Sequence, residues 1–180
     1  MGQVRIIGGI HRSRILKFKD GITGLRPTPD RVRETVFNWL GQSLIGKTCL
    51  DLFAGSGAFG FEAVSRGAKS VILVESNRNV YADLASNAKL LKADNVLVKN
   101  QNALNYISRA NQYFDIIFID PPYSSNLLQK CLNELNSGRL MNEDTVLYIE
   151  YQDLPDLAAY QVIKQGRAGM VHFALLKIEV

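Results

Sequence analysis

The chain has little cysteine and little histidine, with two of each among its 180 residues. Cys49 and Cys131 stand far apart, with no second cysteine or histidine pair at zinc-ligand spacing. This disfavours both a structural zinc site and a disulfide framework. His11 and His172 are equally isolated. We therefore expect no metal centre, and we interpret both cysteines as small buried hydrophobic residues.

Long hydrophobic runs are also missing. The longest aliphatic stretches, such as VILV at 71–74, have about four residues, whereas a membrane-spanning helix needs about 20. The N-terminus lacks the apolar core of a signal peptide, and Ile6 stands where a myristoylation motif requires Ser or Thr. With 47% hydrophobic and 21% charged residues, the composition is that of a globular domain. We predict a cytoplasmic protein with no membrane partner, and nothing requires more than a monomer.

The excess positive charge is confined to the first quarter of the chain. Residues 1–47 contain nine Lys or Arg and three acids, a net charge of +6, whereas residues 48–180 contain twelve basic and fourteen acidic residues. Such an asymmetry favours a polyanionic partner, most simply a nucleic acid. The alternative interpretation is a basic surface that is merely solvated.

The hydrophobic pattern changes at Thr48. Before it, residues 3–7 and 14–18 predict two short strands around a Gly-Gly pair, and Thr28 can cap a helix that begins at Pro29. After it, strands alternate with helices. The predicted strands are 48–53, 70–75, 95–99, 114–119, 145–150, 160–165 and 170–178, and the predicted helices are about 58–66, 77–92, 102–110 and 126–137.

Apolar strands separated by helices predict an α/β fold with a mostly parallel sheet covered on both faces. The last two strands are joined by a short turn around Gly166 and Gly169, which only an antiparallel pair can use. We divide the chain into a basic extension, residues 1–47, and an α/β domain, residues 48–180.

A glycine-rich loop follows the first strand of the second region. In TCLDLFAGSGAFG, Gly55, Gly57 and Gly60 match G-x-G-x-x-G at a strand-to-helix junction, and Glu75 ends the next strand, where a carboxylate can bind ribose hydroxyls. By itself this pattern fits a dinucleotide as well as another adenosine-containing cofactor. Asp51 favours the second choice, because a carboxylate there would repel a pyrophosphate but attract an ammonium group. S-adenosylmethionine carries a sulfonium and an amino group and no phosphate.

A second motif ends the strand at 114–119. The loop Asp120-Pro121-Pro122-Tyr123 lies at the carboxyl end of that strand, the usual ligand side of an open α/β sheet. Because the prolines have no N–H, the loop offers carbonyls and a carboxylate, which suit a donor such as the exocyclic amine of a base. Tyr123 offers a flat face for stacking. The alternative is a rigid turn with Tyr123 in the core.

Together the two motifs resemble class I S-adenosylmethionine-dependent methyltransferases, in which DLFAGSGAFG is similar to the cofactor loop and DPPY to the motif of enzymes that methylate exocyclic amines. GGIHRSRIL at 8–16 and LRPTPDRVRETVFNWL at 25–40 further resemble the bacterial small-subunit (16S) ribosomal RNA guanine-N2 methyltransferase family, over nearly the whole chain. Ser13 stands where many members have Gly.

The resemblance implies a three-layer Rossmann-like sheet with a small N-terminal hairpin and helix. It implies methyl transfer from S-adenosylmethionine to the N2 amine of a guanine in 16S ribosomal RNA, free or in an assembly particle. The catalytic residues would be Asp120, Pro121, Pro122 and Tyr123. The cofactor would contact Asp51, Phe53, Ala54, Gly55, Ser56, Gly57, Gly60, Glu75, Ser76, Asn102, Ala103 and Asp120, with the Asn102 carbonyl accepting from the adenine amine. RNA would contact Arg12, Arg14, Arg26, Arg31 and Arg33, of which Arg31 and Arg33 have an alternative structural role.

Four other functions share part of these sequence features. A DNA adenine-N6 methyltransferase would use the same two motifs, although this chain has little room for a recognition domain. An NAD-dependent oxidoreductase leaves the DPPY loop without a role. A glutamine-N5 protein methyltransferase is disfavoured because its loop begins with Asn. A non-catalytic RNA-binding protein would not need both motifs intact.

Overall fold

The computed structural model describes residues 1–19, 27–123, 125–136 and 138–179. Its strands and helices alternate as the hydrophobic pattern predicts. The strands are β1 (Gly2–Arg5), β2 (Ile15–Phe18), β3 (Thr48–Asp51), β4 (Ser70–Glu75), β5 (Val96–Asn100), β6 (Ile116–Ile119), β7 (Val146–Tyr151), β8 (Tyr160–Ala168) and β9 (Val171–Ile178). The helices are α1 (Asp30–Trp39), α2 (Ala58–Ser65), α3 (Arg78–Leu90), α4 (Ala103–Arg109) and α5 (Leu127–Leu135).

Strands β3 to β9 form one seven-stranded sheet in the order β5-β4-β3-β6-β7-β9-β8. The first five strands of that order are parallel, and β9 pairs antiparallel with both β7 and β8. The predicted mostly parallel sheet with a C-terminal antiparallel strand is thus confirmed. The sheet order reverses between β3 and β6, and this reversal opens a crevice at their carboxyl ends.

The sheet separates two hydrophobic layers. Side chains alternate along each strand, so that on β6 Ile116 and Phe118 pack with α1, α2 and α3, whereas Ile117 and Ile119 pack with α4 and α5. Both faces are therefore covered, which is why the strands are continuously apolar instead of alternating. This is the three-layer arrangement that the sequence predicted.

The N-terminal strands β1 and β2 form a separate antiparallel hairpin. Val4, Ile6, Leu16 and Phe18 from the hairpin are buried in the same core as α1 and α2. Strand β1 also ends earlier than the predicted residue 7. The backbone amides of residues 7 and 8 instead donate to the carboxylate of Glu62 on α2, each over 2.8 Å. The core thus continues across residue 47, and the division into two domains stays a prediction.

Candidate active site

The carboxyl ends of the parallel strands open into a cavity of about 860 Å³. Its wall joins the loop after β3, the end of β4, the start of α4, the loop after β6 and the end of β7. The predicted residues that line it are Asp51, Phe53, Ala54, Gly55, Ser56, Glu75, Ser76, Asn102, Ala103, Asp120, Pro121, Pro122 and Tyr123. The fold therefore brings the two motifs, about 65 residues apart in sequence, around one space.

Gly57 and Gly60 are the predicted loop residues that do not line this cavity. Gly57 has a φ of 79° at the cap position of α2, a conformation that other residues rarely adopt. Gly60 lies inside α2 against β4, where a Cβ atom would overlap the side chain of Leu73. These glycines act on the cavity indirectly, because one turns the chain into the helix and the other lets the helix approach the sheet.

Glu75 is fixed at the end of β4 by two backbone donors. Its Oε2 accepts from the Gly55 amide at 3.1 Å and its Oε1 accepts from the Asn77 amide at 2.7 Å. The carboxylate thereby joins the glycine loop to the start of α3 while remaining on the cavity wall. Each carboxylate oxygen has further acceptor capacity, so these contacts leave room for a ribose hydroxyl.

Asp51 is almost completely buried at the end of β3. The pKa of its carboxyl is raised to about 7, chiefly by burial and to a lesser extent by the charge of Glu75, while hydrogen bonds from the backbone amides of Phe53 and Gly60 oppose the rise. Among the residues that the structure describes, no salt bridge pairs Asp51 with an arginine or lysine. The site thus contains an unpaired buried carboxylate that a bound cation would stabilise.

Asn102 lies directly before α4 and uses its side chain to cap that helix. Its side-chain Oδ1 caps α4 by accepting from the backbone amides of Leu104, at 2.9 Å, and Asn105, at 3.4 Å. This oxygen is therefore engaged by its own helix, and its contact with an adenine amine stays a prediction. Asn102 remains part of the cavity wall.

The loop after β6 places Asp120 inside the cavity and Tyr123 at its rim. Tyr123 is 44% exposed, so the alternative of a core tyrosine is wrong. Burial raises the pKa of the Asp120 carboxyl well above its usual value, the charges of Glu150 and Asp51 raise it further, and the Thr28 hydroxyl lowers it. Burial and the negative charges of Asp120 and Glu150 raise the pKa of the Tyr123 hydroxyl, which therefore stays a neutral hydrogen-bond donor.

Glu150 is a cavity residue that the sequence analysis did not identify. It is 4% exposed, lies near the end of β7 and accepts hydrogen bonds from the hydroxyls of Thr28, Tyr123 and Tyr148. Thr28 was expected to cap α1, but α1 has no side-chain cap bond and the hydroxyl points to Glu150 instead. The sequence feature that could have identified Glu150 is a charged residue near the end of an otherwise apolar strand.

The cavity is thus strongly acidic. Asp51, Glu75, Asp120 and Glu150 line it, and no Lys, Arg or His is found in its wall as far as the described residues go. Four carboxylates without a basic partner disfavour a phosphate-bearing ligand and favour a cationic one.

The predicted RNA-contacting arginines do not form one group. Arg12, Arg14 and Arg31 are exposed, and Arg26 lies outside the described residues. Arg33 is 1% exposed, and its guanidinium contacts Asp30 at 2.6 Å and Glu62 at 3.4 Å. For Arg33, the alternative of a structural role fits better than RNA contact, because a buried, paired guanidinium cannot reach an RNA phosphate.

The loop that carries Arg12 is anchored at the end of α2 away from the cofactor loop. The Ile10 amide donates to the Ser65 carbonyl at 2.8 Å and the His11 amide donates to the Ser65 hydroxyl at 2.9 Å. Since α2 begins directly after Gly57 and has eight residues, its two ends are about 12 Å apart. The exposed arginines of this loop therefore lie well outside the acidic cavity.

Neither cysteine belongs to the site. Both are buried, and burial raises the pKa of each thiol to about 12, so neither provides a thiolate nucleophile. Within the described part of the chain, no cluster of His, Cys, Asp and Glu side chains is arranged to hold a metal ion. No helix there is long and apolar enough to span a membrane.

The strand order, the glycine loop after β3 and the Asp120 loop after β6 define a Rossmann-like methyltransferase fold. The family described as Conserved hypothetical protein 95 matches residues 4–177. The chain is 41% identical to the ribosomal RNA small subunit methyltransferase D of Escherichia coli strain K12, an alignment that covers 99% of this chain and 91% of that protein. The protein of the same name from Haemophilus influenzae is 38% identical, with 97% and 93% covered.

The solved structure of "Putative methyltransferase yhhF from Escherichia coli" superposes with a TM-score of 0.89 at 40% identity and covers 99% of both chains. The chain therefore belongs to the family of the ribosomal RNA small subunit methyltransferases D. The family resemblance drawn from the sequence is thereby confirmed.

Proposed function

We propose that this protein transfers a methyl group from S-adenosylmethionine to the N2 amine of a guanine in small-subunit ribosomal RNA. The observation that carries the proposal is the acidic cavity, in which the glycine loop meets Asp120 and Tyr123. The names of its relatives support a ribosomal RNA substrate. A ribosomal substrate also supports the predicted cytoplasmic location.

The residues present fit S-adenosylmethionine better than a nucleotide diphosphate. Asp51 would bind the ammonium group, Glu75 would accept from ribose hydroxyls, and the backbone of Gly55 borders the space between them. When bound, this cosubstrate supplies an electrophilic methyl group on a sulfonium. An NAD pyrophosphate would face the same carboxylates without any basic partner.

Asp120 and the Pro121 carbonyl would accept hydrogen bonds from the exocyclic amine of the target guanine. That amine is a poor nucleophile because its lone pair is delocalised into the ring. Two acceptors favour a more tetrahedral nitrogen and stabilise the positive charge that develops on it. The N–C bond forms as the S–C bond breaks, the bonding electrons remain on sulfur, and one amine proton is lost to Asp120 or to water.

The target base must leave its stack to reach this pocket, and the exposed ring of Tyr123 would stack on it. Arg12, Arg14 and Arg31 would bind the RNA backbone. Arg33 takes no part, because it is buried and paired.

The direct test is transfer of labelled methyl from S-adenosylmethionine to small ribosomal particles from a strain without its own enzyme of this family. Nucleoside analysis should recover N2-methylguanosine. The matched control is Asp120→Asn, which keeps the size of the side chain. Label in 6-methyladenosine, or transfer to DNA instead of ribosomal RNA, would replace this proposal with the adenine-N6 alternative.

A further inference from the structure

Glu150 is a buried carboxylate where strand β7, the loop after β6 and the segment before α1 meet. It lies on β7, pairs across the sheet with Phe173 of β9, and is 4% exposed while its side chain reaches the cavity. Within the described residues, its hydrogen bonds come from hydroxyls and not from arginine or lysine. A buried carboxyl group without a basic partner is costly to a fold, which makes a functional use for it worth testing.

The two oxygens of Glu150 have different partners. Oε1 accepts from the Tyr148 hydroxyl at 2.6 Å and from the Thr28 hydroxyl at 2.7 Å, and both donors are buried. Oε2 accepts from the Tyr123 hydroxyl at 2.9 Å, and this donor is exposed at the cavity rim. One oxygen therefore fixes the carboxylate from inside, and the other holds the residue that faces the substrate.

We propose that Glu150 is a positioning residue for the methyl-acceptor base: it fixes the ring of Tyr123 beside Asp120 and ties the segment before α1 to that loop through Thr28. This inference rests on the proposed function, since it concerns the base that the site would receive. Tyrosine side chains on a rim are free to rotate about two bonds, and a fixed hydroxyl holds the ring in one orientation before the base arrives. Preorganisation of this kind lowers the cost of binding.

Glu150 also acts on Asp120 through its charge. Among the described residues, the groups that face Asp120 are the carboxylates of Glu150 and Asp51 and the hydroxyls of Thr28, Tyr123 and Tyr148, and the two carboxylates favour its protonated form. Removal of the Glu150 charge should therefore lower the pKa of Asp120. The acidic limb of the pH–rate profile should then move to lower pH, because Asp120 would stay ionised to a lower pH.

Two single variants and their combination test the inference. Tyr123→Phe keeps the ring and the Glu150 charge but removes their hydrogen bond, whereas Glu150→Gln removes the charge. We expect each to lower kcat/KM for the ribosomal particle about 10- to 100-fold, the cost of a hydrogen bond to a charged group. The affinity for S-adenosylmethionine should stay unchanged. The double variant should be no worse than the poorer single variant, because both act on the same Tyr123–Glu150 hydrogen bond.

The pH profile separates positioning from general stabilisation of the fold. Glu150→Gln should move the acidic limb to lower pH, and Tyr123→Phe should leave it in place. Matched controls are Glu143→Gln and Tyr113→Phe, which make the same chemical changes at exposed positions outside the cavity and should behave as wild type. Lower thermal stability of Glu150→Gln with an unmoved acidic limb would assign the residue a structural role and overturn the inference.

Wild-type kcat/KM in Tyr123→Phe would overturn it as well, and this variant stays informative if Glu150→Gln fails to fold. Additive losses in the double variant would show that the two residues act separately and would also contradict it. If the wild-type protein itself transfers no methyl to the particle, the proposed function fails instead, so the two failures are distinguishable.

Discussion

The cavity and the N-terminal extension of this protein have opposite electrostatics. The cavity has four carboxylates and no basic side chain among the described residues, whereas residues 1–47 carry a net charge of +6. The loop with Arg12 is anchored at the far end of α2 from the glycine loop. Under the proposed function, the acidic region suits a sulfonium and an ammonium group, and the basic region suits a phosphate backbone.

The contrast teaches that net charge alone is a poor guide to the site. A protein with an overall charge of +4 has a cavity whose described wall contains four carboxyl groups and no basic side chain. RNA phosphates would be repelled from that cavity, so only a base that has left its stack is expected to enter it. The arginines would then hold the backbone at a distance while the uncharged base reaches the acids.

The largest effect should come from removing the acceptor in the cavity. Asp120→Ala should lower methyl transfer at least about 100-fold, since it removes the group that we propose to stabilise developing charge on the amine. The affinity for S-adenosylmethionine, measured by calorimetry, should change little. Near-wild-type turnover in this variant would remove Asp120 from the acceptor site.

A smaller loss is expected on the cofactor side of the same cavity. Glu75→Ala should weaken S-adenosylmethionine binding by about 1–3 kcal/mol, the range for hydrogen bonds to a charged group. Glu143→Ala, at an exposed position outside the cavity, is the matched control. Unchanged affinity in a folded Glu75→Ala variant would contradict the ribose role.

We expect the unpaired Asp51 carboxylate to make S-adenosylmethionine binding sensitive to pH. Its pKa of about 7 lies above its ordinary value, and the proposed ammonium contact would favour the ionised form, so affinity should fall as the pH drops through 7. Between pH 8 and pH 6 the loss should be about tenfold. Calorimetric titrations at both pH values measure it, and Asp51→Asn should flatten the dependence. An equal slope in the variant would assign the titration to another group.

The smallest effect is expected in the basic region. Arg12→Ala together with Arg14→Ala should weaken RNA binding several-fold and leave S-adenosylmethionine binding intact, because the loop lies away from the cavity. Each lost phosphate contact should reduce the slope of log affinity against log salt by roughly 0.7–0.9. RNA affinity at several salt concentrations tests this. Wild-type affinity with an unchanged slope would return these arginines to the alternative of a solvated surface.

Features that depend on neighbouring residues could be predicted from the sequence. The strand-loop-helix pattern around Gly57 and the apolar strand that ends in Asp120 have their physical causes within about ten residues, in hydrophobic periodicity, glycine conformation and proline geometry. The same local patterns predicted the parallel sheet and its antiparallel C-terminal strand, which the structure confirms.

Only the tertiary structure decided which polar groups meet. Thr28 and Glu150 are 122 residues apart, and Arg33 and Glu62 are 29 apart. The sequence therefore suggested a helix cap for Thr28 and an RNA contact for Arg33, and it left Glu150 unidentified. Asn102 is the converse case, since its side-chain carbonyl caps the helix that begins at the next residue. A hydrogen bond depends on distance and direction between two atoms, and for residues far apart in sequence both are fixed by the packing of the sheet and helices between them.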